Sequence, residues 1–186
     1  MSAAPIDIVG FWRHAGPGKW FRKDYRFDQA LRLRFEPVHF AAARGEYDRW
    51  METAEGCLAL LLLLDQFPRN LWRNSPHAFA TDALARRVAR HAVLADFDQE
   101  IEPVLRPFFY LPFEHSEDPA DQALSVRLCE ALRDAGHDED GRTLQFAVLH
   151  RDIINRFGRF PHRNRMLGRE TTAEEQAFLD EGGFAG

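Results

Sequence analysis

The sequence predicts an all-α fold, and the first observations behind it are local. Apolar residues recur at spacings of three and four in one segment after another. No stretch alternates polar and apolar residues as a half-buried strand does, and no hairpin turn joins two such stretches. No Gly/Ser linker separates two halves, so a single all-helical domain over residues 1–186 is expected. A chain of this length buries roughly 70% of its unfolded surface. Its 45% apolar content, with 16 Phe, suits a packed globule and excludes a disordered chain.

Taken in order, residues 6–14 read as a short helix carrying Phe11 and Trp12, closed by the loop at Gly16, Pro17 and Gly18. Asp24 caps a helix whose stripe is Phe27, Leu31 and Phe35, and Pro37 should end or kink it. Residues 50–67 read as a central helix, apolar almost all round. Asp65 lies on its Leu58, Leu61 and Leu62 stripe, where a leucine would be expected, and Pro68 should push Phe67 out of helical geometry.

Ser75-Pro76 is a cap and first-turn signal for a long helix with Leu84, Val88, Ala92 and Ala95 in register. Pro103, Pro107 and Pro112 cut residues 100–113 into turns of helix around an aromatic cluster. Asp118-Pro119 opens a helix with Leu124, Leu128, Leu132 and Ala135 as its stripe, closed at Gly136. Residues 140–157 form the penultimate long helix, and Thr172 with Glu175 makes a capping box for a last short one ending near Gly182.

Three apolar segments end in an aromatic–proline corner that carries polar groups. LLLLDQFPRN (61–70) presents Asp65, Arg69 and Asn70, and FFYLPFEHSE (108–117) presents Glu114, His115 and Glu117. HRDIINRFGRFPHRNRMLGR (150–169) places His150 on the apolar stripe of Ile153, Ile154 and Phe157, then delivers Arg159, His162, Arg163 and Asn164. The expectation is that the corners converge on one polar pocket. Burying Asp65 or His150 costs several kcal/mol without a partner, so each should have one: Arg69 for Asp65, a corner carbonyl for His150.

These three motifs, with Trp20-Phe21, Phe27-Asp28 and the TAEEQAFL segment at 172–179, resemble a bacterial domain-of-unknown-function family, number nine-two-four. The resemblance runs nearly end to end. It implies a tetratricopeptide-like stack of antiparallel helices in a single domain, and it brings no assigned activity.

Three functional readings follow. Arginine forks suit carboxylate and phosphate, and 22 of the 24 basic residues are Arg, the exceptions being Lys19 and Lys23. A pocket lined by Asp65, Arg69, Asn70, His115, Arg159, His162, Arg163 and Asn164 would bind a small anionic ligand or an acidic peptide end. A genome-wide preference for Arg codons accounts for most of these arginines equally well. A hydrolase would use Glu114 or His150 as general base and Arg163 to stabilise negative charge. A protein-interaction scaffold would use the polar corners as structural clamps.

No HExxH, DxDxDG, Cys/His cluster, GxSxG or Gly-rich phosphate loop occurs, so no metal and no cofactor is expected. His137-Asp138, in a turn after Gly136, matches the metal-phosphohydrolase pair by coincidence. The net charge of −5 argues against nucleic acid or an anionic membrane as main partner. The longest apolar run, residues 57–64, is far short of the about 20 residues a membrane helix needs. With no cationic-then-apolar leader in MSAAPIDIVGFW, and with Cys57 and Cys129 expected as buried thiols, the expected location is cytoplasmic. Oligomeric state is not encoded in any of these features.

Overall fold

A computed structural model describes residues 3–184, and among them the chain is helical with no strand. Two compact units emerge from the contacts. The first comprises the chain through Arg73 together with His77–Pro112, the second Asn74–Pro76 together with the chain from Phe113. None of the described helices is long and apolar enough to cross a membrane.

In the first unit, α1 (Pro5–Ala15) and the single turn α2 (Pro17–Trp20) precede α3 (Tyr25–Ala43). The Asp24 carboxylate caps α3 through the Arg26 and Phe27 amides, as expected. Pro37 does not end the helix. The hydrogen bond it removes would fall on Leu33, a residue 78% exposed, where a lost donor costs less than it would in the core.

The predicted central helix is broken into four pieces. A 3₁₀ turn (Asp48–Glu52) stops at Thr53, whose hydroxyl caps α4 (Ala54–Leu61). A π-helical turn follows (Leu62–Gln66), and α5 (Phe67–Leu71) continues through Pro68. Pro68 therefore leaves Phe67 helical, contrary to expectation. Every residue from Cys57 through Pro68 is buried. Trp12 sits at the heart of this unit, 5.6 Å from the Phe67 ring and 5.5 Å from that of Phe108.

Ser75-Pro76 opens only a 3₁₀ turn (Pro76–Phe79), and α6 begins later, at Asp82–Leu94. Its buried side is Ala85, Val88, Ala89 and Ala92, with Ala95 exposed, so the inward stripe is offset from the expected one. Two further 3₁₀ turns (Phe97–Glu100 and Pro103–Leu105) lead to α7 (Pro107–Glu114), which contains Pro112 and the boundary between units.

The second unit holds the packed pair α8 (Pro119–Asp134) and α9 (Arg142–Phe157), then a 3₁₀ turn (Pro161–Arg163) and α10 (Ala173–Asp180). On α8 the buried stripe is Gln122, Ser125, Val126, Cys129 and Leu132, shifted from the expected leucines and partly polar. Gln122 explains the shift: its amide donates to the carbonyls of Glu114 at 2.6 Å and Ser116 at 2.7 Å, where α7 ends. Asp138 is buried and accepts from the Thr143 and Leu144 amides at the start of α9.

Cys57 and Cys129 are buried free thiols. Burial pushes the Cys57 pKa up to about 12, and that of Cys129 upward as well.

Candidate functional site

The polar residues singled out by the corners fall into two sets, one in each unit. In the first, Pro68 has no N–H to offer the carbonyls one turn back, and the π turn already widens the ladder there. Side chains supply the missing donors. His39 Nδ1 donates to Leu63 O at 2.8 Å, the Thr81 hydroxyl donates to Leu64 O, and the Arg69 guanidinium donates to Asp65 O at 2.9 Å. The interruption is thus filled from three directions.

Arg69 then forks onto Asp82, at 2.9 and 3.1 Å, and stands 3.2 Å from Asp65 Oδ1. Burial works against its charge, but the two carboxylates outweigh burial and hold its pKa above the usual value. Asp65 is 1% exposed and also accepts from Gln66 at 2.6 Å. Asn70 donates to Asp28 at 3.0 Å, and Arg73 pairs with the same carboxylate. Asp65–Arg69 was legible as an i,i+4 pair. Asp82 and Asp28 lie too far away in sequence to be read as partners, although Phe27-Asp28 had been marked within the resemblance.

Beside this lies a histidine–aromatic cluster that the sequence reading passed over. His39 Nδ1 is committed to Leu63 O, so its Nε2 accepts from His77 Nε2 at 3.2 Å. The Trp72 ring packs 4.1 Å from that of His77 and 5.0 Å from that of His39. Burial lowers the His39 pKa and keeps it neutral at pH 7. The signal was a lone His on an apolar helical face, as with His150.

In the second unit, His150 is buried on α9 as expected and donates from Nδ1 to Phe146 O at 2.8 Å. The same nitrogen is 3.1 Å from Glu114 Oε1, on a carboxylate that is itself 3% exposed. The Phe160, Phe184 and His115 rings surround the imidazole, at 5.5, 4.5 and 6.2 Å. Burial first, then the neighbouring His115, push its pKa down to about 3, so His150 is neutral and oriented. Glu114, His115 and His150 therefore come together. His162 also meets Phe184, at 5.2 Å.

The arginines here close onto carboxylates of the same unit. Arg169 forks onto both oxygens of Glu117 at 2.8 Å, and Glu117 also accepts from the Phe160 amide at 3.0 Å. Burial raises the Glu117 pKa, but the Arg169 fork and the amide outweigh it and leave it lowered. Arg159 forks onto Glu175 at 2.6 and 2.8 Å, which drives the Glu175 pKa down to about 2.

Asn164 donates to Glu175 at 3.2 Å and to Thr171 at 3.4 Å. Buried Arg163 covers the Phe160 ring at 4.3 Å. Gly158, with φ +68°, provides the left-handed stop of α9 that brings Arg159 and Phe160 round. Glu175 served the sequence reading only as a cap, a role it keeps by accepting from the Thr172 amide at 2.8 Å.

Two shallow, open depressions mark this unit. One is lined by Arg159, Arg169, Glu170, Thr171 and Thr172, the other by Arg142, Gln145, Phe146, Val148, Leu149 and Asp152 of α9. Among the described residues, no three His, Cys, Asp or Glu side chains gather as metal ligands do.

Comparison with known proteins adds kinship without chemistry. A solved structure of a protein of unknown function, ATU0120 from Agrobacterium tumefaciens, is similar to this chain at 53% identity and a TM-score of 0.90. The likeness covers 96% of this chain and 97% of that one. No curated protein matches. Residues 8–183 match the family model described as bacterial protein of unknown function (DUF924), and the chain belongs to that family.

Proposed function

We propose that this protein is an interaction scaffold in which the aromatic–proline corners are structural clamps. The observation that carries this reading is the state of the corner arginines. Arg69, Arg159 and Arg169 each fork onto a carboxylate of their own unit, on Asp82, Glu175 and Glu117. A guanidinium spent in this way offers an incoming anion little net charge, because the anion must displace or sit beside a carboxylate. The His150–Glu114 pair is likewise turned inward, with Nδ1 committed to a backbone carbonyl and rings on several sides. Solvent-facing apolar residues, including Phe146 and Leu149 on α9 at 45% and 38% exposure, are what a scaffold would offer a partner.

A second reading keeps the anionic ligand or acidic peptide end. The depression lined by Arg159, Arg169, Thr171 and Thr172 favours it, because both arginines keep an exposed edge there.

One thermal-denaturation series separates the two. Wild type and Arg169→Ala are melted with phosphate, sugar phosphates, nucleotides and dicarboxylates. The scaffold reading expects no anion to raise the wild-type midpoint and the variant to melt lower in every buffer. An anion present at 100 times its dissociation constant would add about 2.7 kcal/mol. A rise of that size, lost in Arg169→Ala, would replace the scaffold with the anion site.

A further inference from the structure

The segment after α10 behaves as a ligand of its own unit. Glu181 and Gly182 are exposed, yet Phe184 turns back and sets its ring against two imidazoles. The centroid distances are 4.5 Å to His150 and 5.2 Å to His162, with interplanar angles of 66° and 79°. Ile153, Ile154 and Phe160 form the apolar floor against which this ring packs. Both contacts are edge-on, the arrangement in which one ring's positive edge meets another's negative face. An aliphatic side chain would fill the same space without that term.

The tether holding the ring is slight. Gly182 is at φ +83°, and the Gly183 amide donates to Phe178 O at 2.9 Å. A Cβ at Gly183 would stand 2.5 Å from the Phe178 side chain and backbone, so the close return requires glycine. Gly182 and Gly183 bring no side chains of their own to anchor the segment there. Phe184 itself is only partly buried.

We propose that the recess between His150 and His162 is a binding site for an aromatic side chain of a partner peptide, which enters as Phe184 leaves. The proposal deepens the scaffold reading and rests on it, by naming the chemistry of the partner. Phe184 is the occupant that defines the recess, and the partner's ring takes its place on the same imidazole edges. Self-occupancy makes the apparent affinity of the wild type lower than the intrinsic one by the fraction of chains in which the recess is open.

The probe is an acetylated, amidated peptide with this chain's own residues 180–184, Asp-Glu-Gly-Gly-Phe, and a control with Ala for Phe. Calorimetry on Phe184→Ala is expected to give saturable binding of the Phe peptide, at least about tenfold tighter than on wild type. The Ala peptide should not bind. In parallel, wild type with isotope-labelled Phe rings is titrated to millimolar peptide. The Phe184 ring signals are expected to move toward free-chain positions while those of Phe157 stay.

A folded Phe184→Ala that binds neither peptide overturns the proposal. So do unmoved Phe184 signals in wild type, and that arm decides the matter should Phe184→Ala not fold. Neither arm depends on anions, so a failure here is distinct from the failure of the scaffold reading in the anion series.

Discussion

Phe67-Pro68 and Phe160-Pro161 are the same dipeptide put to opposite uses. At Pro68 the helix runs on, through a π turn whose free carbonyls are taken by His39, Thr81 and Arg69. At Pro161 the helix has already been stopped by Gly158, and the proline opens a 3₁₀ turn that brings in Arg163 and Asn164. Proline does not decide whether a helix ends. What decides is whether donors from elsewhere can replace the N–H that it lacks. The buried corner has them because α3 and the residues before α6 press against it, while at the other corner the left-handed glycine has already ended the ladder.

The comparison can be broken most forcefully at Arg69. Arg69→Ala removes the cation shared by Asp65, at 1% exposure, and Asp82, and taking the cation from a buried charge pair costs about 3–5 kcal/mol. Urea denaturation should register that loss. Arg169→Ala should cost less, about 1–2 kcal/mol, because Glu117 is more exposed and keeps the Phe160 amide. Equal losses from the two variants would erase the difference between a buried and a rim clamp.

Acid provides the next test. The pKa of His150 in the folded protein lies far below its ordinary value, so below about pH 6.5 the unfolded chain binds the extra proton. Stability therefore falls as pH drops from about 6.5 toward 3. Between pH 6.5 and 5 the single group contributes about 2 kcal/mol of that fall. His39 acts in the same direction in the other unit. Melting curves across this range should be flatter for His150→Gln than for wild type. A His150→Gln slope equal to that of wild type would show that the imidazole already charges in the folded state.

Smaller effects sharpen the account of the donors. Thr81→Val removes the hydroxyl from Leu64 O and should cost about 1–2 kcal/mol. Gly158→Ala should cost about the same for a different reason. A Cβ there meets nothing within 4 Å, so the whole penalty is the left-handed backbone at φ +68°. If Thr81→Val melts like wild type, the carbonyl at the π turn is served by water and the contrast between the corners weakens.

How much of this could be read from the chain depends on how far apart the partners lie. Asp24 and the Thr172–Glu175 box act within a few residues, and each was legible, as was the inward face of His150. Asp65–Arg69 is one helical turn and was legible too. Arg69–Asp82, Asn70–Asp28, Arg159–Glu175 and Arg169–Glu117 join separate elements, and only packing reveals them. The sequence therefore left the arginines open to a ligand or to a clamp, and the carboxylates that they meet came only with the packing. The α8 stripe was misplaced because leucine was taken to mark the inside. The inward positions there go to Gln122 and Ser125, with Gln122 answering the carbonyls at the end of α7.

The π turn has a consequence for rotational phase. An α-helix advances about 100° per residue, and a π turn accommodates one residue beyond the α repeat without lengthening the path much. Everything after Leu62–Gln66 is thus set one residue out of step with α4. Straightening the turn into plain α-helix with all its residues kept would swing Arg69 and Asn70 about 100° away from Asp82 and Asp28, whereas deleting one residue there would leave them facing those carboxylates. The extra residue works as a clocking ring, and the clamp of the first unit engages because the helix has been turned by that one tooth.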